Sequence, residues 1–397
     1  MKIAILTSGI LPVPAVQGGA VENLIDFYLA YNNEHHLHDI TVYSVWHPDI
    51  VNHHVLNSKV NHYIYIKVNG LYAKLKKKWY QLTHKKEYYH YTIEFYLHKA
   101  MIDIHRKDFD IIIMENRPAY ALKIKKVTNA HIVYHLHNEK LDKQVAKAQE
   151  IYNAASLIIT VSDYIKRKVK TINSHDTKTK TVHNGINLSA FSNKTKADRS
   201  IMGFKENDFV LVFSGRVNRD KGIMELIDAM NLLKDYPQIK LMVIGSTFFR
   251  NTTTDDDFTK GLKDKAKSFK ERIIFTGFLP YSMMPKYLKM ADIAAIPSIW
   301  NDPFPTTVLE AQAMGLPIIT TRRGGIPEEV TEENAILLKT DEHFVENLAA
   351  AILDLYNNPE KRKQMSTASL DRSKLFDKET YAKNFYEAFN SIDSTDR

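Results

Sequence analysis

The amino-acid sequence predicts an α/β protein of two doubly wound domains, each built on a parallel sheet with helices on both faces. Short apolar runs alternate with amphipathic segments along the chain, which is the pattern of repeated β-α-β units. The alternation stops in a polar stretch and starts again at Phe209. The length of 397 residues also suits two domains better than a single core.

The apolar runs give the predicted strands in chain order. In the first half these are Lys2–Leu6, Ile40–Ser44, Ile111–Met114, Ile132–His135, Leu157–Val161 and Thr179–His183. In the second half they are Phe209–Ser214, Lys240–Ile244, Arg272–Thr276, Ile293–Pro297, Pro317–Thr321 and Ala335–Lys339. We therefore expect an N-terminal domain over residues 1–187, a linker over 188–208 and a C-terminal domain over 209–376.

The composition excludes several classes of protein. The chain has no cysteine, which rules out disulfides, thiolate metal sites and a cysteine nucleophile. No apolar run approaches the ~20 residues of a membrane span, and the N-terminus, MKIAILTSG, is a first strand rather than a signal peptide. We expect a cytoplasmic protein. The absence of G-x-G-x-x-G and G-x-x-x-x-G-K-[ST] argues against a nicotinamide cofactor and a P-loop ATPase.

The most informative segment covers residues 293–332 and reads IAAIPSIWNDPFPTTVLEAQAMGLPIITTRRGGIPEEVTE. A buried strand leads into a Pro-rich loop, and the loop opens a helix that ends before Gly315. Thr306 or Thr307 can cap this helix. The free backbone N–H groups and the positive dipole end at such a helix start favour a phosphate or diphosphate.

Two carboxylates flank this helix start, Asp302 before it and Glu310 just inside it. The segment resembles the nucleotide-sugar site of the family-4 retaining glycosyltransferases, which have the GT-B fold. The matching residues are Pro297, Ser298, Phe304, Glu310, Gly315 and Pro317. Asp302 departs from the family, which has Glu there, and Pro305 stands where Gly is usual. A generic β-α-β unit would explain the capping but not this order of acids, aromatic residue and Gly-x-Pro.

The resemblance implies two Rossmann-like domains whose parallel sheets face each other across a cleft. It also implies that residues 377–397 form a helix that crosses back to the N-terminal domain. Apolar residues at helical spacing between Lys378 and Ile392 agree with a helix.

Other motifs follow predicted strands, at the edge where parallel sheets bind ligands. Arg216 and Lys221 resemble the family's clamp on the donor diphosphate, where fixed cations oppose the charge of the leaving group. Gly18 and Gly19 stand at the mouth of the first helix, where backbone can approach a phosphate or sugar.

His135 and His137 share one face of a strand end. His137 matches the family histidine near the transferred sugar, and a hydrogen-bonded histidine that closes the strand is the alternative.

The resemblance assigns the remaining roles. Glu310 would hold the ribose hydroxyls, Asp302 the hydroxyls of the donor sugar, and the N–H groups near Thr306 and Thr307 the diphosphate. The other donor-binding candidates are Gly277, Phe278, Leu279, Phe304 and Pro305. We assign no general base and expect no obligatory cofactor.

The implied activity is transfer of a hexose-type sugar, with retention, from a nucleotide-sugar donor. A UDP-sugar is the favoured donor, and the acceptor is a hydroxyl of a glycan or lipid-linked glycan in cell-surface polysaccharide or glycoconjugate synthesis. A sugar-nucleotide epimerase and a non-catalytic nucleotide-binding protein of the same fold are the alternatives.

Two charged segments have more than one interpretation. The acidic run Thr252–Asp257 could bind a metal, but carboxylates also favour a helix start, and we expect no metal site. Residues 67–107 hold ten Lys/Arg, three acids and eight aromatic residues. This composition suits an anionic membrane surface through Lys74–Lys86, at the inner face of the membrane. A solvated helical face is the alternative, and no nucleic-acid module is recognisable.

Overall fold

The computed structural model describes residues 1–51, 53–83, 91–192, 194–246, 257–269 and 271–392. It divides into two compact α/β units. Unit 1 comprises Met1–His183 with Glu379–Arg397, and unit 2 comprises Asn184–Lys378. Among the described residues, no helix combines the length and the apolar character needed to cross a membrane.

Unit 1 contains a seven-stranded parallel sheet of order β3-β2-β1-β4-β5-β6-β7. Its strands are β1 Lys2–Leu6, β2 Asp39–Val45, β3 Asn61–Ile66, β4 Ile111–Glu115, β5 His131–Leu136, β6 Leu157–Thr160 and β7 Thr179–Thr181. Its helices before residue 184 are α1 Ala20–His35, α2 Leu71–Thr83, α3 Tyr91–Ile104, α4 Ala121–Ile124, α5 Ala148–Ala154 and α6 Asp163–Lys170. From β1 the chain adds strands towards β3 on one side of the sheet, and from β4 it adds them towards β7 on the other. The boundary between β1 and β4 is therefore the topological switch point, where such sheets bind ligands.

Strand β3 is absent from the sequence prediction. Its six residues, NHYIYI, lie at the sheet edge and pair in parallel with β2. Its middle residues are only half-buried. An edge strand of this kind lacks the continuous apolar run by which the other strands were recognised.

Unit 2 contains a six-stranded parallel sheet of order β10-β9-β8-β11-β12-β13. Its strands are β8 Phe209–Ser214, β9 Ile239–Ile244, β10 Ile273–Gly277, β11 Ile293–Ile296, β12 Ile318–Thr321 and β13 Ala335–Leu338. Its helices are α7 Ile223–Leu232, α8 Asp257–Ala266, α9 Met284–Leu288, α10 Thr306–Ala313, α11 Ile326–Glu329, α12 Phe344–Asn357 and α13 Pro359–Ser373. In this sheet the topological switch point lies between β8 and β11.

Residues 188–208, which the sequence suggested as a linker, lie within unit 2. Phe191 is buried there and its ring lies 5.3 Å from that of Tyr281. Arg199 forms an ion pair with Asp292, with 2.8 Å between Nη2 and Oδ1. These contacts fix the segment to the body of the unit.

The last helix, α14 Lys378–Glu387, continues as a 3₁₀ turn to Ser391. It completes the core of unit 1, where the ring of Phe385 stacks on that of Tyr28 at 4.3 Å. The hydroxyl of Tyr386 donates to the backbone carbonyl of Tyr28 at 2.8 Å. The C-terminal segment therefore belongs to the same unit as the N-terminus.

Candidate functional site

The loops that follow the neighbouring strands β8 and β11 are joined by their backbones. The N–H of Ile299 donates to the carbonyl of Asp220 at 3.0 Å. Gly222 has φ +69°, and a Cβ there would lie 1.9 Å from the carbonyl oxygen of Pro297. Only glycine permits both that backbone conformation and that close approach. The two loops that carry the predicted site residues are thus held together at the switch point of the sheet.

Lys221 and Asp302, predicted separately, form an ion pair across these loops. The ammonium of Lys221 donates to Oδ2 of Asp302, and the Ser298 hydroxyl lies 3.4 Å from the same oxygen. Their side chains are 16% and 7% exposed. The ammonium also lies 5.8 Å from the ring centroid of Trp300. These contacts restrict Lys221 to a small region, and part of its side chain remains exposed to solvent.

The backbone of Asp302 is held by the Gly-Gly turn that follows β12. The N–H of Gly325 donates to the carbonyl of Asp302 at 2.8 Å. Gly324 has φ +59°, and a Cβ there would lie 2.1 Å from that carbonyl oxygen. The turn can approach Asp302 this closely because Gly324 lacks a side chain.

Helix α10 begins at Thr306 as predicted, but its N-terminal capping differs from the prediction. Pro305 is the N-cap residue, and no side chain accepts a hydrogen bond from the first turn. The hydroxyl of Thr306 bonds instead to Glu310. The N–H of Val308 donates to the carbonyl of Pro305 at 3.0 Å, and no side-chain cap covers the N–H groups of Thr306 and Thr307.

Glu310 is buried inside α10 and bonds to Tyr281, a residue that the sequence analysis did not identify. Burial raises the pKa of the Glu310 carboxyl to about 8, although the hydrogen bonds from Thr306 and Tyr281 oppose this rise. The carboxyl is therefore protonated at neutral pH.

The other predicted donor-site residues differ in exposure. Phe304 is buried, with its ring 5.7 Å from that of Phe376, and its carbonyl accepts from Asn184 at 2.9 Å. Pro305 is buried, and Thr307, Gly277, Phe278 and Leu279 are partly exposed. Arg216 is exposed, and none of the ion pairs found among the described residues includes it. Phe304 packs the loop, whereas Arg216 can reach a ligand.

Glu329 is a buried acid near this site that the sequence analysis missed. Both of its carboxyl oxygens are without a hydrogen-bond partner among the described residues. Burial, and after it the charge of Asp302, raises the pKa of Glu329 well above its ordinary value. Its burial depends on the packing of α11, which the local sequence alone does not reveal.

A second group of site residues lies in unit 1, at the carboxyl ends of β4 and β5. The carboxylate of Glu115 is fully buried and accepts from the hydroxyl of Tyr28 at 2.9 Å. Nε2 of His137 donates to it at 2.9 Å, and Nδ1 of His135 lies 3.1 Å from it. His135 and His137 thus share one face, as the strand period predicts.

These contacts set the charge and the tautomer of His137. Burial alone would raise the pKa of Glu115, but its interactions with the two histidines outweigh burial and lower it to about 2. Burial and the neighbouring His135 lower the pKa of His137 to about 4, and Glu115 offsets only part of this. At neutral pH His137 is therefore uncharged. Because Nε2 carries the hydrogen, Nδ1 is an acceptor.

The donor atoms of Glu115, His135 and His137 lie within 4.8 Å of one another, a geometry that could hold a metal ion. In this structure Nδ1 of His135 and Nε2 of His137 each lie within hydrogen-bond distance of the Glu115 carboxylate. An exposed group formed by Glu34, His35 and Glu379 also brings donor atoms together. Thr252–Asp256 lie outside the described residues, and Asp257 begins α8.

Gly18 and Gly19 lie between β1 and α1 and have φ of +74° and +106°. A Cβ at Gly19 would lie 2.2 Å from Oε2 of Glu22 in the first turn of α1. Burial raises the pKa of Glu22 to about 7. The glycines and His137 follow strands at the same edge of the sheet, on both sides of its switch point.

Two parallel α/β units of this topology, one with cations and buried acids at its switch point, match the GT-B fold of glycosyltransferases. Residues 194–372 match the family model described as "Glycosyl transferases group 1", and residues 36–190 match "Glycosyltransferase Family 4". The two matches account for most of the chain, which belongs to the group 1 glycosyltransferases.

The chain is similar to a putative glycosyltransferase, YtcC, of Bacillus subtilis, with 28% identity over 90% of this chain and 81% of that protein. It is 25% identical to the lipopolysaccharide 1,2-N-acetylglucosaminetransferase of Salmonella typhimurium over 57% of this chain and 58% of that protein. Anabaena HepE in complex with UDP and glucose has a similar fold, with a TM-score of 0.74, 22% identity and coverage of 98% of this chain and 100% of that chain.

Proposed function

We propose that the protein is a retaining hexosyltransferase that moves a sugar from a UDP-sugar to a hydroxyl of a glycan or lipid-linked glycan. The observation that carries this proposal is the buried Lys221–Asp302 pair, held by glycine contacts on both sides. The ordered ammonium of Lys221 can bind the diphosphate of the donor. The carboxylate of Asp302 beside it can accept hydrogen bonds from hydroxyls of the sugar.

In the proposed complex the diphosphate competes with Asp302 for the ammonium of Lys221. The exposed guanidinium of Arg216 and the free N–H groups at the start of α10 supply further donors. Asp302 is then available for hydroxyls of the donor sugar, and Glu310 for those of the ribose. No obligatory cofactor or metal takes part in this proposal.

In unit 1, neutral His137 presents Nδ1 as an acceptor. A sugar hydroxyl can donate to this atom, which agrees with a role for His137 close to the transferred sugar. Gly18 and Gly19, which follow a strand at the same edge of the sheet, are partly exposed.

The UDP complex of a protein with the same fold supports UDP as the nucleotide, and the lipopolysaccharide relative supports a glycan acceptor at the cell surface. We further propose that the enzyme works at the inner face of the membrane, where a lipid-linked acceptor would be found.

The test is release of UDP from a panel of UDP-sugars, with and without candidate glycan acceptors. We expect acceptor-dependent release, and the anomeric proton coupling of the product should report retention. Arg216→Ala and Glu310→Ala should abolish transfer without unfolding the protein, whereas Arg106→Ala, at an exposed arginine of unit 1, should not. Nucleotide release that needs no acceptor would favour the epimerase, and UDP binding without turnover would favour the non-catalytic protein.

A further inference from the structure

Helix α2 in unit 1 presents a row of large apolar side chains to solvent. Leu71, Leu75, Trp79 and Leu82 are 78%, 62%, 63% and 65% exposed. Their spacing of four, four and three residues places them within an arc of about 80° on the helix. These four side chains are called the α2 stripe. Tyr72, 56% exposed, widens it on one side.

The rest of the helix is anchored to unit 1, so the stripe faces outward. Ala73, on the opposite side, is buried, and α2 packs on α3. The ring of Tyr72 meets that of Phe95 edge-on at 6.1 Å. Soluble monomers rarely expose contiguous apolar surface of this kind unless it contacts a partner or a membrane.

Lysines flank the α2 stripe on both sides. Viewed down the helix axis, Lys74 and Lys78 lie on the side of the stripe next to Leu71, and Lys76 lies on the opposite side, next to Tyr72. The ammonium of Lys76 is 5.3 Å from the ring centroid of Tyr72. The helix sequence, LYAKLKKKWYQLT, contains no acid. Lys85 and Lys86, which belong to the predicted basic stretch, lie outside the described residues.

We propose that α2 lies in the surface of an anionic lipid bilayer, with the stripe among the acyl chains and the lysines at the headgroups. Leucines with a tryptophan on one face and lysines beside them are the features of an interfacial helix. A nucleic acid would use the lysines but leave the leucines without a role. A second copy of the same helix would bring lysines against lysines, since α2 offers no acid to pair with them.

This inference rests on the proposed function in one respect, because it places the enzyme where a lipid-linked acceptor would be. Membrane binding can nevertheless be measured without any donor or acceptor. UDP binding can be measured without vesicles, so failure of one proposal is distinguishable from failure of the other.

The experiment is flotation of the full chain with vesicles of phosphatidylcholine alone or mixed in equal parts with phosphatidylglycerol. We expect binding to the anionic vesicles that weakens as salt is raised. Leu75→Glu should weaken binding by about tenfold or more, since a buried leucine is lost and a charge is added. Leu375→Glu, at a leucine of unit 2 that is 60% exposed, is the matched control and should bind like the unmodified protein. Lys74→Gln with Lys78→Gln should reduce the salt dependence.

Trp79 supplies a second readout in a Trp46→Phe, Trp300→Phe background. Its emission should shift to the blue with anionic vesicles. The proposal is overturned if the protein stays unbound at low salt, or if Leu75→Glu and Leu375→Glu float equally. A dimer in light scattering that Leu75→Glu dissociates would also overturn it, because the stripe would then be covered by a second copy.

Discussion

Replacing Lys221 with Met should lower the free energy of unfolding of unit 2 by about 3 kcal/mol. The loss arises because the carboxylate of Asp302, 7% exposed, would remain buried without its cation. Breaking a fully buried pair costs roughly 3–5 kcal/mol, and the lower end applies because Lys221 is 16% exposed. Asp302→Asn should cost about 2 kcal/mol, since an amide oxygen can still accept from Lys221. In the double variant neither charge remains, so its loss should be smaller than the sum of the two by about 2 kcal/mol.

The assay uses a Trp46→Phe, Trp79→Phe background, in which Trp300 is the sole tryptophan and reports urea unfolding of unit 2. Sugar transfer is measured on the same proteins. Lys221→Met should reduce it by about 10²–10³-fold, the usual effect of removing one donor to a developing charge. The double variant should be about as stable as Lys221→Met, because the added Asp302→Asn change no longer leaves or removes a paired charge, and it should not regain transfer. Lys234→Met, at an exposed lysine of the same unit, is the control and should change neither quantity.

Two results would refute this reasoning. Additive stability losses, within about 0.5 kcal/mol, would mean that the two side chains do not interact in solution. Recovery of transfer in the double variant would mean that Lys221 serves only to neutralise Asp302 and does not act on the donor.

Three further outcomes can be measured by urea or thermal unfolding. Glu310 keeps its proton in the folded state up to a pH of about 8 but loses it near 4.5 when unfolded, so its contribution to stability falls as pH rises between these values. Glu310→Gln should flatten that part of the stability profile, and an unchanged slope would contradict the assigned burial. Glu115→Gln should cost about 2–3 kcal/mol, because an amide cannot accept from all three donors, whereas Tyr28→Phe should cost only about 1 kcal/mol. Equal losses for these two variants would mean that the histidines do not depend on Glu115. Glu329→Met should stabilise unit 2 by about 1–3 kcal/mol by removing an unpaired buried carboxyl, and a destabilised variant would show that this acid has a partner.

Most of the fold could be predicted because the central strands of both sheets are buried on both faces. Such strands read as continuous apolar runs. Of the thirteen strands found in the described residues, twelve lie at the predicted runs to within two residues of their ends. Residues 188–208, which we expected to be a linker, lie within unit 2, because a polar stretch can still supply a buried anchor such as Phe191. The helical spacing of Tyr381 and Phe385 predicted α14, and the family resemblance predicted its return to the first unit.

The candidate site could be predicted only where its residues lie close together in the sequence. The order of Asp302, the helix start and Glu310 along the sequence is the local pattern on which the predicted donor site rests. Pairing between distant residues leaves no local signal, so the bonds of Glu115 to His137 and of Tyr281 to Glu310 emerged only from the structure. A usable signal for Glu115 did exist, because an acid that ends the apolar run IIIME must find donors where the strand stops.

The position of α14 has a consequence for synthesis of the chain. Unit 2 is encoded entirely within the sequence of unit 1, and Tyr381, Phe385 and Phe389 are the final pieces of the first core. A ribosome therefore releases all the residues of unit 2 before those that unit 1 still needs. Unit 1 is therefore begun first and completed last. Until its C-terminal segment has left the ribosome, the core around Tyr28 lacks the aromatic rings of that segment.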